Sequence, residues 1–496
     1  MSEVICRVTR KSLHSRMVGA LFTLCLALPG AGHAQESVES SLPSIGGAGG
    51  GLISDQQELQ IGQQVLRQLR RSAQLIDDFL IEDYLSSIVY KLVPYVALEN
   101  RDLSLVVIDS PALNAFAVPG NVIGVNGGLF LRARTEQQFA SVIAHELAHL
   151  SQRHFARRME QQEQTAPLAL AGVIAGLVLS AVTQSSDIGM ATVAGTQAMA
   201  VQNFLSYSRL HEQEADRVGL GIMAEAGLDP EGMPEMFEIM LRENRLQGNQ
   251  VPEYLSTHPL TESRVSDTRA RAEQLERPGL ASDSLEFHLV KTRLQVHYAR
   301  SADEAVEAFG AQVKKDTEGK NQPAIYGYAV ALIAAGKPEQ AHEQLQKLLD
   351  IQSNRITYLV TDGEALIAAG KYEAARQLLT ESLKRNPGNA AILDQLARLE
   401  MADNNPSLAT GYLQQLTRDF KRDAQLWLRL ADAQGKAREI VGVHRARAEY
   451  DILMGDFESA ARQLAEAQTK TSVGSPERQV ISQRLNDVTA MQKERR

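Results

Sequence analysis

Cysteine is nearly absent from this 496-residue chain. Its two cysteines, Cys6 and Cys25, both fall in the first 34 residues. The remainder therefore has no catalytic thiol, no disulfide framework and no cysteine-ligated metal. Aromatic residues are scarce at 5%, and Trp427 is the single tryptophan, which leaves little for stacking on bases or sugars. Positive charge is in deficit. The formal charge of −9 is the wrong sign for a general nucleic-acid binder, so no nucleic acid is expected as a partner. Long apolar runs are missing as well: the most apolar stretch, Pro167 to Val182, has 16 residues. That is short of the roughly 20 a membrane-spanning helix needs.

The chain is 44% hydrophobic and 22% charged, the balance of a globular protein, and its length calls for two or three domains. Arg7, Arg10, Lys11 and Arg16 precede an uncharged apolar run of 12 residues from Met17 to Leu28. Pro29-Gly30 breaks the run, and Ala31-Gly32-His33-Ala34 offers small residues for cleavage. Residues 1–34 are expected to be a secretory signal peptide, the competing reading being an uncleaved anchor. Cleavage would remove four basic residues and one acid, moving the charge from −9 to −12, together with both cysteines. An exported chain without cysteines suits a bacterial periplasm, where disulfides are permitted but not required. Residues 35–52, rich in Ser and Gly, are expected to be a flexible leader.

Two regions of different character follow. From Ser54 the apolar pattern predicts helix to about Val96, with Pro94 closing it. Leu103 to Ile108 reads as a strand. Ala115 to Val118, a turn at Pro119-Gly120-Asn121, and Val122 to Val125 read as a hairpin that offers an edge for an extended peptide. From Thr135 the period becomes 3.6 and predicts a helix to about Arg158, with Phe139, Val142, Ile143, Leu147 and Leu150 on its buried side. Residues 167–182 read either as a buried, lid-like helix or as one resting on a membrane or over a substrate groove. With the uncharged residues 188–205 they would make a helical hairpin.

Beyond about Ser284 the pattern is helical throughout, and a repeat emerges. Ala331-Leu332-Ile333-Ala334-Ala335-Gly336-Lys337 recurs identically from Ala365 to Lys371, an offset of 34 residues and the tetratricopeptide period. Asn404 takes the next glycine position, and an alanine follows five residues later each time, at Ala341, Ala375 and Ala409. Small residues are needed there because paired helices cross closely. Gly455 and Ala460 repeat the pairing, Pro387 marks one boundary, and about four units are expected. The fold class is therefore mainly α. An α+β domain with a small sheet, residues 53–284, is followed by an all-α tetratricopeptide-repeat solenoid, residues 285–490.

The chemistry concentrates in His145-Glu146-Leu147-Ala148-His149. Two imidazoles four apart on one helical face can converge on a metal, and Glu146, at the neighbouring angle, can take a proton from water bound to it. A zinc hydrolase needs a third protein ligand and an open fourth position. Ser208-Arg209-Leu210-His211-Glu212-Gln213-Glu214-Ala215-Asp216 offers candidates. On a helix, Glu212 and Asp216 share a face: Glu212 can complete the ligand set, and Asp216 can accept the second ring N–H of a ligand histidine. Glu214 points away and is a poorer candidate. Without further context such an acidic stretch is ordinarily a solvated helix face. His154 and His211 read as structural.

Asn114-Ala115-Phe116, His145-Glu146-x-x-His149 and Ser208-Arg209-x-x-Glu212-x-x-Ala215-Asp216, in that order, resemble the zincin-type metallopeptidase family of the CAAX-prenyl proteases and HtpX-type membrane proteases. The resemblance implies one Zn2+ per chain, with His145, His149 and Glu212 as ligands, Glu146 as general base and Asp216 as a supporting acid or proton donor. Thr257-His258-Pro259-Leu260-Thr261-Glu262-Ser263-Arg264 also resembles a family motif, in which His258 would be a fourth ligand or a latch. The competing reading is a loop histidine before proline. The family's membrane spans are missing here, which leaves peripheral contact through 167–182 as the membrane expectation.

Among family members that are exported and carry tetratricopeptide repeats, the resemblance implies a periplasmic endopeptidase associated with the outer membrane. Its substrates would be unfolded or misassembled outer-membrane proteins. The repeats would engage the outer-membrane β-barrel assembly machinery, and a chaperone role is implied beside hydrolysis. The reading from a different class is a tetratricopeptide scaffold whose zinc site is latched or structural.

Overall fold

The helices that carry His145 and His149, Glu212 and Asp216, and Arg264 open on Thr135, Ser208 and Thr261, because a Ser or Thr side chain satisfies an otherwise orphaned backbone N–H. The computed structural model describes residues 54–161, 208–246, 253–275 and 283–494. Helix α1 (Asp55–Ser72) starts from a capping box in which Ser54 and Gln57 bond reciprocally, and α2 (Phe79–Leu92) starts from Asp78. The single helix expected from Ser54 to Val96 is thus two. Residues between them leave the helix because Leu75 bridges to Ile108, which makes the connection part of the sheet edge.

Strands β1 (Ser104–Ile108), β2 (Ala115–Val118) and β3 (Val122–Asn126) form a sheet in the order β1-β3-β2. β1 runs parallel to β3, while β2 pairs antiparallel with it from Ala115–Val125 to Val118–Val122. This is the expected hairpin, turning through Gly120 and Asn121, both at positive φ. Among the described residues no strand pairs with the outer edge of β2. A short α3 (Gly127–Arg132) leads to α4 (Glu136–Ser151), capped by Thr135 and buried from Glu136 through His149.

The helix expected to reach Arg158 breaks instead at Arg153, whose φ is +49°. The chain turns there and restarts as α5 (His154–Gln161). Then come α6 (Arg209–Glu225), capped by Ser208, α7 (Gly232–Leu246), α8 (Glu253–Thr257) and α9 (Glu262–Gln274), capped by Thr261. α6 crosses α4 at Gly219, where a Cβ would stand 3.3 Å from the His145 backbone nitrogen. That close approach brings the two motif-bearing helices side by side.

The rest is helical: α10 (Leu285–His297), α11 (Ala302–Lys315), α12 (Gln322–Ala334), α13 (Pro338–Ile351), α14 (Ile356–Ala368), α15 (Tyr372–Arg385), α16 (Ala390–Ala402), α17 (Pro406–Asp419), α18 (Ala424–Lys436), α19 (Ile440–Met454), α20 (Phe457–Thr469) and α21 (Pro476–Glu494). Left-handed residues recur every 34 positions at Gly336, Gly370, Asn404 and Arg438. Each closes the first helix of a pair with the same bond, for example Lys337 N–H to Leu332 O and Glu439 N–H to Gln434 O. The fourth turn is therefore Arg438. Gly455, expected to mark it, closes the second helix of that pair, half a period later. The expected signal peptide, the leader and the apolar segments 167–182 and 188–205 lie outside the described residues. Among those described, no helix is long and apolar enough to cross a membrane.

The start of α2 is driven into the repeats. Phe79 and Leu80 belong to the apolar core built by α14 through α18, and Phe79 meets Phe420 edge to face at 5.3 Å. Burying such side chains stabilises by about 1.5–3 kcal/mol each. Around them, Arg293 of α10 joins Asp78 (2.5 Å) to Glu364 of α14 (2.6 Å), and Arg422 meets Asp102 at 2.6 Å. The face formed by α14, α16 and α18 is thus partly covered by the chain's own α2.

Glu82 sits at this contact. Burial, then the charges of Asp423, Asp77, Asp78 and Asp394, push its carboxyl well above the usual range. A carboxyl raised in the folded state contributes stability below its unfolded pKa and loses it as pH rises through the folded pKa. Glu82→Gln is therefore expected to raise Tm at about pH 8 and to change it little near pH 4. Thermal melts of both proteins at the two pH values check this, and equal shifts at both would contradict it.

Candidate metal centre

α4 carries His145 and His149 one turn apart, with their Nε2 atoms 3.0 Å from each other. α6 brings Glu212 to the same point, with Oε2 3.6 Å from His145 Nε2 and Oε1 3.4 Å from His149 Nε2. From the turn after α8, His258 places Nδ1 3.1 Å from Glu212 Oε1 and Nε2 3.5 Å from Glu146 Oε1. One nitrogen or oxygen atom from each of His145, His149, Glu212 and His258 lies within 4.8 Å of the others, and all four residues are buried. Atoms about 2.0–2.2 Å from a common tetrahedral ion stand roughly 3.2–3.6 Å apart, which these separations approach. The donor set, nitrogen and carboxylate oxygen without sulfur, suits zinc.

The surroundings are built as carefully as the centre. Asp216, one turn beyond Glu212, lies 3.1 Å from His145 Nδ1. Both its oxygens accept from Arg264 of α9, through Nε and Nη2, at 2.7 Å each. Arg264 Nη1 is also 2.7 Å from Glu212 Oε2. Phe237 lies under the guanidinium, 5.0 Å from its centre. The Tyr254 ring stacks on His258 at 4.6 Å.

The electrostatics show a site short of positive charge. Burial works against the Glu212 carboxylate, but His258, Arg264 and the two helix histidines hold it well below the usual range. Burial also pulls His145 down, yet bonds to Asp216 and Glu212 outweigh it and raise the imidazole to about 9. His149, with less compensation, is pushed down by burial to about 3. Without an ion, the carboxylates draw a proton onto His145. A bound cation satisfies the same carboxylates while leaving that imidazole neutral, so the residues fit a metal.

The structure brings His145, Glu146, His149, Glu212, Asp216 and His258 to one place. The sequence pattern does not single out Arg264, which closes the same stretch as His258 and reaches Glu212 and Asp216 only through the fold. His154 and His211, read as structural, stack on each other at 4.5 Å, and His154 also touches His149.

An α+β domain whose central helix presents His-x-x-x-His to a carboxylate from a second helix defines a metallopeptidase. Residues 80–272 match the model of peptidase family M48, and residues 366–433 match a tetratricopeptide repeat. The β-barrel assembly-enhancing protease of Escherichia coli K12 is 32% identical over 91% of this chain and 92% of its own. A putative β-barrel assembly-enhancing protease of Vibrio cholerae is 31% identical over 92% of this chain and 93% of its own. The mitochondrial metalloendopeptidase OMA1 of Arabidopsis thaliana is 28% identical over 48% of this chain and 46% of its own. The chain belongs to peptidase family M48 and, within it, to the β-barrel assembly-enhancing proteases.

Proposed function

We propose that the chain is a periplasmic zinc endopeptidase, associated with the outer membrane, that degrades misassembled β-barrel proteins and assists the assembly of others. The observation that carries this reading is the buried group His145, His149, Glu212 and His258 with Glu146 beside it. His145, His149 and Glu212 would hold the ion. Bound there, zinc supplies a Lewis acid and a water acidic enough to be activated near neutral pH. Glu146, buried beside this group, would act as the general base for the attacking water and would hand the proton on toward the leaving amine. Asp216, with both oxygens held by Arg264, orients His145 and so has a supporting role.

An extended substrate adds along the open edge of β2, which packs against α4, and is held there by backbone hydrogen bonds. Such recognition selects unfolded segments over particular side chains, as quality control requires. The repeats, on the surface that α2 leaves uncovered, would engage the β-barrel assembly machinery, and residues 167–182 would supply peripheral membrane contact.

A second reading, a scaffold with a latched site, is favoured by one observation. His258 stands against Glu212 and Glu146, where an incoming substrate would bind. Incubating the chain with an unfolded outer-membrane β-barrel protein tests both readings. Hydrolysis that a chelator removes and zinc restores is expected, together with a several-fold faster rate for His258→Ala if His258 latches the centre. No hydrolysis by either protein, with zinc bound, would leave the scaffold reading.

A further inference from the structure

The two helix histidines are supported differently. His145 is held by a carboxylate directly, through Asp216. At His149 the ring nitrogen on the side away from Glu212 meets an imidazole: its Nδ1 lies 2.8 Å from Nδ1 of a third histidine, His154. The contact exists because Arg153, at φ +49°, turns the chain so that α5 begins beneath the ring it follows by five residues. His154 is fully buried, and its other nitrogen, Nε2, lies 3.2 Å from Glu214 Oε2. Glu214 Oε2 in turn accepts from Arg157 Nη1 at 3.0 Å. His211, on the helix that carries Glu214, covers the His154 ring with its own at an interplanar angle of 17°.

This arrangement fixes protons in one direction. If His149 offers its Nε2 lone pair to an ion, its proton must sit on Nδ1 and be donated. His154 Nδ1 must then accept, which puts the His154 proton on Nε2, where Glu214 accepts it. Arg157 balances the carboxylate charge. The hydrogen-bond partners thus select a single tautomer for both rings, and a His154 turned the other way would set two N–H groups against each other.

Resting on the zinc reading above, we propose that His154 and Glu214 are positioning residues that lock His149 in its ion-binding tautomer. Neither touches the ion. Ligand-orienting partners of this kind are worth about 10–100-fold in metal affinity. The same chain of contacts assigns a use to Glu214, which helix geometry alone turns away from the centre.

The test is zinc affinity of the metal-free full chain, measured by competition with a chromophoric chelator. His154→Phe keeps a ring against His211 but accepts no hydrogen bond, and a 10–100-fold weaker affinity is expected. His154→Asn restores an acceptor near Nδ1 and is expected to recover most of the loss. Glu214 is about a quarter exposed, so Glu214→Ala is a milder change to the fold, and a several-fold loss is expected from it. Phenylalanine and asparagine variants that bind zinc equally well would overturn the proposal, and so would a Glu214→Ala chain that matches the parent. If His154→Phe does not fold, the asparagine and Glu214→Ala affinities still decide. A parent chain that binds no zinc would instead sink the metal reading itself.

Discussion

Glu146→Gln is expected to leave zinc content unchanged and to reduce hydrolysis of an unfolded β-barrel protein by about 10²–10⁴-fold, the range for removal of a positioned general base. Glu146 is buried beside the candidate ligands without belonging to the group whose atoms converge. Glutamine keeps its size and hydrogen-bonding capacity but cannot take up a proton at neutral pH. Metal analysis and a cleavage time course on the same preparation separate the two effects. Loss of zinc along with activity would move Glu146 into the ligand set. Undiminished activity would remove it from the mechanism.

Arg293→Met carries the largest expected effect on stability. The arginine joins Asp78, the cap of α2, to Glu364 in the repeats through Nε and both terminal nitrogens. Its side chain is 14% exposed, and those of Asp78 and Glu364 are 20% and 22% exposed. Removing one partner of a buried pair costs about 3–5 kcal/mol, because the other charge stays behind uncompensated. Partial exposure brings the expectation down to about 2–3 kcal/mol. Both carboxylates are left here, so the contact between the start of α2 and the repeats should loosen first. Hydrogen exchange is expected to rise in α2 and α14 before it rises in α4. Uniform exchange with an unchanged Tm would contradict the account.

Much of the site was legible because helix geometry is local. His145 and His149 lie four apart, and Glu212 and Asp216 lie four apart, so any helix must put each pair on one face. The repeat was legible for a related reason: Gly336, Gly370 and Asn404 are residue types that tolerate a left-handed turn. Arg438 was not legible. It adopts the same conformation, at φ +63°, under the pull of the surrounding helices, and nothing in its type announces it.

Arg153 hid the break between α4 and α5 in the same way, and with it the contact of His154 on His149. Periodicity carries on through a residue whose backbone conformation is imposed by tertiary packing. The roles of Arg264 and Arg293 also escaped the local pattern. Arg264 meets its carboxylates 48 residues away in sequence, at Asp216, and Arg293 reaches 71 residues to Glu364. Charge pairing at that range follows from the fold and cannot precede it.

The most direct measurement of the central claim is the metal content of the purified chain, read beside that of His149→Ala and Glu212→Ala. One tightly held zinc is expected in the parent, with nitrogen and oxygen neighbours alone in its X-ray absorption spectrum. Either substitution is expected to leave the site largely empty at the same free zinc concentration. Stoichiometric zinc retained by both variants, or none in the parent after exposure to excess zinc, would contradict the claim.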